Sequence, residues 1–223
     1  MRTVLCLLAA AILFLGGCTS GENQDQVKNE VQTTEPDVRA FKDPFTKKFL
    51  TSTKEVLPGY YLFKSKTGNY EMAFPAGGVI GERSYDFRVK NPQKGLESFM
   101  TTVHVKNYDP IKELSASLKI NYLSYYDKET IEASLDSVLE DYDNKLVLNK
   151  LALKDRDIYW STYFENEYEY YGVAGYAQNT VDTGGIYYSY EFTCELGAEK
   201  CQQLGQEFKQ KVALKWVKQI HFK

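Results

Sequence analysis

Histidine is almost missing from this chain of 223 residues: there are two copies, His104 inside an apolar run and His221 near the end. Neither sits in an H-x-x-x-H or paired-cysteine spacing. A zinc centre, which needs three or four nitrogen, sulfur or carboxylate ligands at close range, is therefore not expected, and neither is any other metal or cofactor. No G-x-S-x-G elbow occurs, so the usual sequence mark of an α/β-hydrolase nucleophile is absent too. Basic excess is lacking: 27 Lys and Arg stand against 30 Asp and Glu, with no basic cluster. That balance argues against nucleic acid as a partner and against purely electrostatic adhesion to anionic lipid. The acidic runs "EDYDN" (Glu140 to Asn144) and Asp155/Asp157 lack the length, central glycine and closing glutamate of a calcium loop, and read as solvated helix end and turn. Long apolar stretches are missing as well. The longest, "VLCLLAAAILFL" from Val4 to Leu15, falls well short of the roughly twenty residues a bilayer-spanning helix needs.

What that short run does contain is a sequence of three signals. Arg2 supplies a positive start, the apolar segment follows, and it ends in Leu15-Gly16-Gly17-Cys18 before the chain turns abruptly polar. A charged beginning, a short hydrophobic middle and small residues before the cut make a secretory signal. The "LGGC" ending resembles the lipobox of bacterial lipoproteins. The resemblance implies that residues 1–17 are removed as a signal peptide and that Cys18 becomes the first residue of the mature protein. It further implies an S-diacylglycerol on the Cys18 thiol and an N-acyl chain, such as palmitate, on its new amine. Membrane lipid is then a partner through acylated Cys18. The mature chain would carry a formal charge of −4, since Arg2 is the one charged residue lost.

From Thr19 to about Asp43 the composition is polar and free of aromatics until Phe41. Such a segment buries too little apolar surface to offset the entropy of ordering. The expected division is residues 18–56 as lipidated cysteine and flexible tether, with a short element near 45–50, and residues 57–223 as one domain. A tether of about 25 residues reaches about 25 to 30 Å.

Within the domain, "GYYLFKSKTGNYEMAFPAGG" predicts two strands around a turn at Lys66 to Asn69, and "YDFRVKNPQKGLESFMTTVHV" another pair turning at Asn91-Pro92. "ASLKINYLSYY" alternates Leu118, Ile120 and Tyr122 with Lys119 and Asn121, which is strand spacing with one wet face. "DKETIEASLDSVLEDY" predicts a helix capped by Asp127, with Ile131, Leu135, Val138, Leu139 and Tyr142 on one stripe. Three Tyr-, Val- and Ile-rich runs follow, at 146–153, 157–178 and 185–194, then a helix over 197–214 and a final strand in "WVKQIHF". The expected fold is α+β, an antiparallel β-sheet with two main helices packed on it. The order of elements, with "YEMAFPAG" early and "KQIHF" at the end, resembles the Mog1/PsbP-like fold. A cystatin-like or NTF2-like curved sheet is the alternative.

Once Cys6 leaves and Cys18 is lipidated, Cys194 and Cys201 are an even pair in an exported chain, which favours a structural disulfide. The spacing is wrong for a C-x-x-C redox motif. Tyrosine is the abundant residue, with 18 copies, many in doublets. Neighbours on a strand face opposite sides, so each doublet offers one ring to a core and one to the other face. Most of this suits half-buried sheet surface. The dense set Tyr168, Tyr170, Tyr171, Tyr187 and Tyr188 also marks a candidate partner-binding face, because tyrosine combines rigid area with a polar tip.

The expected function is that of a membrane-anchored extracytoplasmic lipoprotein, not an enzyme, that binds an unknown envelope protein or polymer. A wall-directed hydrolase using carboxylates such as Asp155 or Glu167, and a small-molecule carrier, are the rival readings. The excess of lysine over arginine, 22 against 5, points to an AT-rich genome and a Gram-positive surface.

Overall fold

The computed structural model describes residues 35–91, 94–104, 115–194 and 197–223. The signal, Cys18 and the part of the expected tether before residue 35 lie outside them. The described chain runs through α1 (Arg39–Lys42), β1 (Leu50–Leu57), β2 (Tyr60–Lys64), β3 (Tyr70–Pro75), β4 (Gly78–Ile80), β5 (Asp86–Asn91) and β6 (Lys94–His104). Next come β7 (Ser115–Leu123), α2 (Ile131–Glu140), β8 (Asn149–Ala152), β9 (Arg156–Glu165), β10 (Tyr170–Asn179) and β11 (Gly185–Thr193). Then α3 (Ala198–Phe208) continues through a π-helical turn at Lys209–Ala213 into α4 (Leu214–Val217), and β12 (His221–Phe222) follows. Among the described residues every strand pairing is antiparallel. A four-stranded sheet has the order β1-β2-β3-β12, and an eight-stranded sheet the order β4-β6-β7-β11-β10-β9-β8 with β5 paired to β6. This is the expected α+β architecture with two main helices.

Period-two alternation divides the large sheet into two faces. Val173 and Ala177 of β10 join Phe208 and Cys201 of α3 in the main core, together with Phe63, Phe74 and Trp216. Ala174 and Tyr176 of the same strand join Val138 of α2 and Leu146 in a second, smaller cluster on the opposite face. The inner face is therefore covered by the C-terminal helix and the small sheet, and part of the outer face by α2. Aromatic rings carry the inner packing: Tyr171 stacks on Phe192 at 5.1 Å, and Phe63 meets Phe99 at 5.2 Å. Trp216 donates its indole N–H to the carbonyl of Ala73 at 3.0 Å, tying the last helix to the small sheet.

The expected boundary at Leu57 is corrected. Phe41 packs edge-on to Tyr61 at 4.9 Å, Phe49 stacks on Phe63 at 5.4 Å, and β1 pairs with β2. The backbone N–H of Ile80 donates to Thr46 Oγ1 at 2.9 Å, so this segment also closes over β4. The folded body starts before Arg39. Phe41, Phe45 and Phe49 are spaced four apart in an otherwise polar stretch, and that stripe was the overlooked signal. The last strand is also shorter than expected: helix persists to Val217, and only His221 and Phe222 pair, with Glu71 and Tyr70.

Asp127 caps the 3-10 turn Lys128–Thr130 that leads directly into α2, accepting from the backbone N–H groups of Glu129 and Thr130 in a capping box. Cys194, at the end of β11, and Cys201, in α3, are disulfide-bonded with Cα atoms 5.5 Å apart. Both are buried. Replacing both with alanine, which removes the cross-link without burying a new polar group, is expected to cost about 2.5 kcal/mol in the loop-entropy account. Urea unfolding checks this, and an unchanged midpoint would remove the bridge from the list of stabilising features.

Candidate binding groove

The outer face of the large sheet is a grid of residues set by register. One row across β9, β10, β11 and β7 reads Tyr163, Gly172, Glu191, Ser117; the next reads Ser161, Ala174, Ser189, Lys119; the third reads Tyr159, Tyr176, Tyr187, Asn121. Ser161, Ala174 and Ser189 in the middle row, between Tyr163 and Glu191 on one side and Tyr159, Tyr176 and Tyr187 on the other, leave a trough. β6 extends it with Met100 opposite Lys119 and Ser98 opposite Asn121. The flank of α2 and the loop after it form the wall, through Val138, Asp141, Tyr142, Leu146 and Val147, giving an open groove of about 1400 Å³. That loop reverses through Asp143 and Asn144, both in the left-handed region at φ 52° and 58°, where Asp and Asn are tolerated better than most residues. The amide of Asn144 donates to the carbonyl of Leu139 at 2.7 Å, closing the helix end.

At one end Tyr163 donates to Glu191 Oε1 at 2.8 Å and Tyr142 donates to the same oxygen at 3.1 Å. The first of these bonds depends on Gly172. A Cβ there would meet the Tyr163 hydroxyl at 2.9 Å and the Tyr190 carbonyl at 2.5 Å, so the missing side chain lets the ring lie across β10. Burial raises the pKa of both phenols, with the Glu191 charge adding to the rise, and holds them as protonated donors. Tyr170 is raised by the same causes, and its ring stacks with that of the exposed Tyr168 at 6.4 Å. At the other end Tyr187 lies 4.9 Å from Tyr176 and 5.9 Å from Tyr126, edge-on to the latter. Buried Gln178 fixes this corner: it accepts from the Tyr176 hydroxyl at 2.6 Å and donates to the carbonyls of Tyr126 and Gly184.

The tyrosines singled out in the sequence divide between the faces. Tyr170 and Tyr187 line the groove, and Tyr168 sits 66% exposed beside Tyr170. Tyr171 does not belong to the face, and the Tyr188 ring, though the residue borders the groove, is buried with it in the main core, as alternation within each doublet requires. Sequence reading missed Tyr142, Tyr163 and Glu191. The available signal was the glycine inside the "YYGVAGY" strand, since such a glycine marks a close approach. Asp155 pairs with Arg156 away from the groove, and Glu167 is exposed in the turn between β9 and β10. Neither lines the groove. Among the described residues no helix is long and apolar enough to cross a membrane.

A protein family described as "Putative lipoprotein YvcA" matches residues 36–221. The chain belongs to this family. The match starts just before α1, in agreement with the early start of the folded body. The protein "Putative lipoprotein YvcA" of Bacillus subtilis (strain 168) is 27% identical over 236 residues, covering 95% of this chain and 93% of that relative. No solved structure matches. Membership in this lipoprotein family agrees with the lipobox reading, and the family's label joins the lipoprotein description to Mog1p, consistent with the Mog1/PsbP-like resemblance.

Proposed function

We propose that this chain is a non-enzymatic lipoprotein of the extracytoplasmic membrane surface, in a Gram-positive envelope, that holds a second envelope component in its outer groove. Acylated Cys18 supplies the anchor. The observation that carries the binding role is the groove itself. Its trough of small side chains is framed at both ends by fixed tyrosines, and exposed Lys119, Asn121 and Met100 lie along one side. Large rigid rings with polar tips, set beside unfilled volume, are the features of a recognition surface. The phenols that touch Glu191 are raised in pKa and stay protonated, which is the reverse of what a tyrosine nucleophile needs.

Co-sedimentation with washed envelopes tests this reading. The wild type is expected to pellet saturably with envelopes stripped of membrane. Met100→Glu, a change at a residue already 46% exposed, places a charge on the groove rim and is expected to weaken retention about tenfold or more. Equal retention of Met100→Glu, with its melting temperature unchanged, would rule the groove out as the binding surface.

A further inference from the structure

The groove's chemistry narrows its occupant, on the reading that the groove is the binding surface. We propose that it takes a linear, uncharged glycan of N-acetylated sugars. A sugar ring has a C–H face and a rim of hydroxyls, so it needs a flat aromatic surface beside paired donors and acceptors. Tyr187 offers the surface, held on two sides by Tyr176 and Tyr126. Its cross-strand neighbour on β7 is the exposed Asn121, an amide able to donate and accept at once. Four residues further along β11, about 13 Å away at about 3.3 Å per residue, Glu191 takes both phenol bonds on Oε1, so neither phenol occupies its second oxygen, Oε2. The ring platform and the fixed carboxylate are thus spaced for a chain of several sugar units and not for a single small molecule.

Two further observations select the glycan type. The groove carries charges of both signs, with Lys119, Lys145 and Lys209 against Asp141, Asp143, Glu165 and Glu191. A polyanion such as a phosphate-linked polymer would meet repulsion as well as attraction there. A protein partner would ask for a core depleted in charge, which this floor is not. The exposed apolar groups at its edges, Met100 of β6 at 46% and Val147 of the loop after α2 at 81% exposure, are single side chains from separate elements, each able to contact an acetamido methyl.

The test is titration of the full chain in mild detergent with a hexamer of N-acetylglucosamine, followed by calorimetry and by amide chemical shifts. Saturable binding with shifts confined to β7, β11 and the flank of α2 is expected, weakened about tenfold by Tyr187→Ala and by Asn121→Ala. Asn121 is exposed, so its variant keeps the test valid if Tyr187→Ala fails to fold. Absence of saturable binding up to about 10 mM hexamer, or tighter groove binding of a polyglycerol phosphate, would overturn the glycan assignment. Should the hexamer fail while Met100→Glu still abolishes envelope retention, the glycan assignment falls and the groove reading stands. Should Met100→Glu leave retention unchanged, the groove reading falls first.

Discussion

Cys18→Ala is expected to abolish acylation and the lipoprotein-type cut together, leaving an uncleaved precursor in place of the mature, acylated protein. The size of the effect follows from the acyl chains. Each buried methylene contributes about 0.8 kcal/mol, and a single myristoyl chain gives an association constant of only about 10⁴ M⁻¹, so stable anchoring takes two chains. A diacylglyceryl group on Cys18, as proposed, would supply both on one thiol. Carbonate or high salt, which strip proteins held by charge, should leave the wild type attached, because the net charge is only weakly negative and negative surfaces do not attract it. A chain beginning at Glu35 behind an ordinary cleavable signal should be secreted, soluble and folded. One beginning at Asp43 should be less stable, because it loses Phe41 from its contact with Tyr61 and the Ala40 amide bond to the Ala76 carbonyl. Wild-type membrane retention of Cys18→Ala with a correctly trimmed amino terminus would refute the anchor assignment.

The elements that the sequence disclosed and those it hid differ in a physical way. Strands β2, β3, β7, β9, β10 and β11 were legible because each has one face in the main core and because turn residues bound them. Lys119 and Asn121 are exposed and Leu118, Ile120 and Tyr122 buried, as their alternation required. The α2 stripe was legible for the same reason, since Val138 is buried and Leu135, Leu139 and Tyr142 pack in its cluster. Of the amino-terminal elements only the short one near residues 45–50 was legible; α1 and most of β1 were hidden because composition averages over a window, and three phenylalanines among lysines and threonines leave the mean polar. The groove was half legible. Alternation within Tyr170-Tyr171 and Tyr187-Tyr188 gives the two faces, but nothing local says which outward ring meets a glutamate on another strand. The Tyr163–Glu191 bond spans 28 residues of sequence and exists through register across three strands. Register is a property of the whole sheet, and single-segment patterns do not contain it.

Glu97 is the buried polar group whose removal should cost most stability. It lies on β6, opposite Tyr122, fully buried on the core side of the large sheet. It accepts from the backbone N–H of Lys66 at 3.1 Å, from that of Thr67 at 3.3 Å, and from the Tyr85 hydroxyl at 2.8 Å. Those bonds fasten the turn between β2 and β3 to the large sheet, so one side chain joins the two sheets. Glu97→Ala leaves three donors without their acceptor, at about 1 to 3 kcal/mol for each one stranded from water, and a loss of about 3 kcal/mol or more in denaturant unfolding is expected. A loss below about 1 kcal/mol would mean that water takes over the three donors. Glu97→Gln keeps the shape and one acceptor oxygen, but its amide nitrogen is a donor and leaves at least one of the three donors unpaired. The pH dependence of its difference from the wild type, and not the size of that difference, therefore reports the charge. Burial, the largest influence, raises the Glu97 carboxyl above its ordinary value of 4.5, against the lowering effect of its three hydrogen bonds. Folding therefore favours the protonated form. The stability linked to that proton is fully present below about pH 4.5 and is lost as pH rises through the folded value. Other carboxylates titrate equally in both proteins, so the difference between wild type and Glu97→Gln carries the sign: it should shift in favour of the wild type as pH falls from 7 toward 4.5. A difference that stays flat across that interval, or moves toward the variant, would show that the three donors outweigh burial and that Glu97 is held ionised in the folded protein.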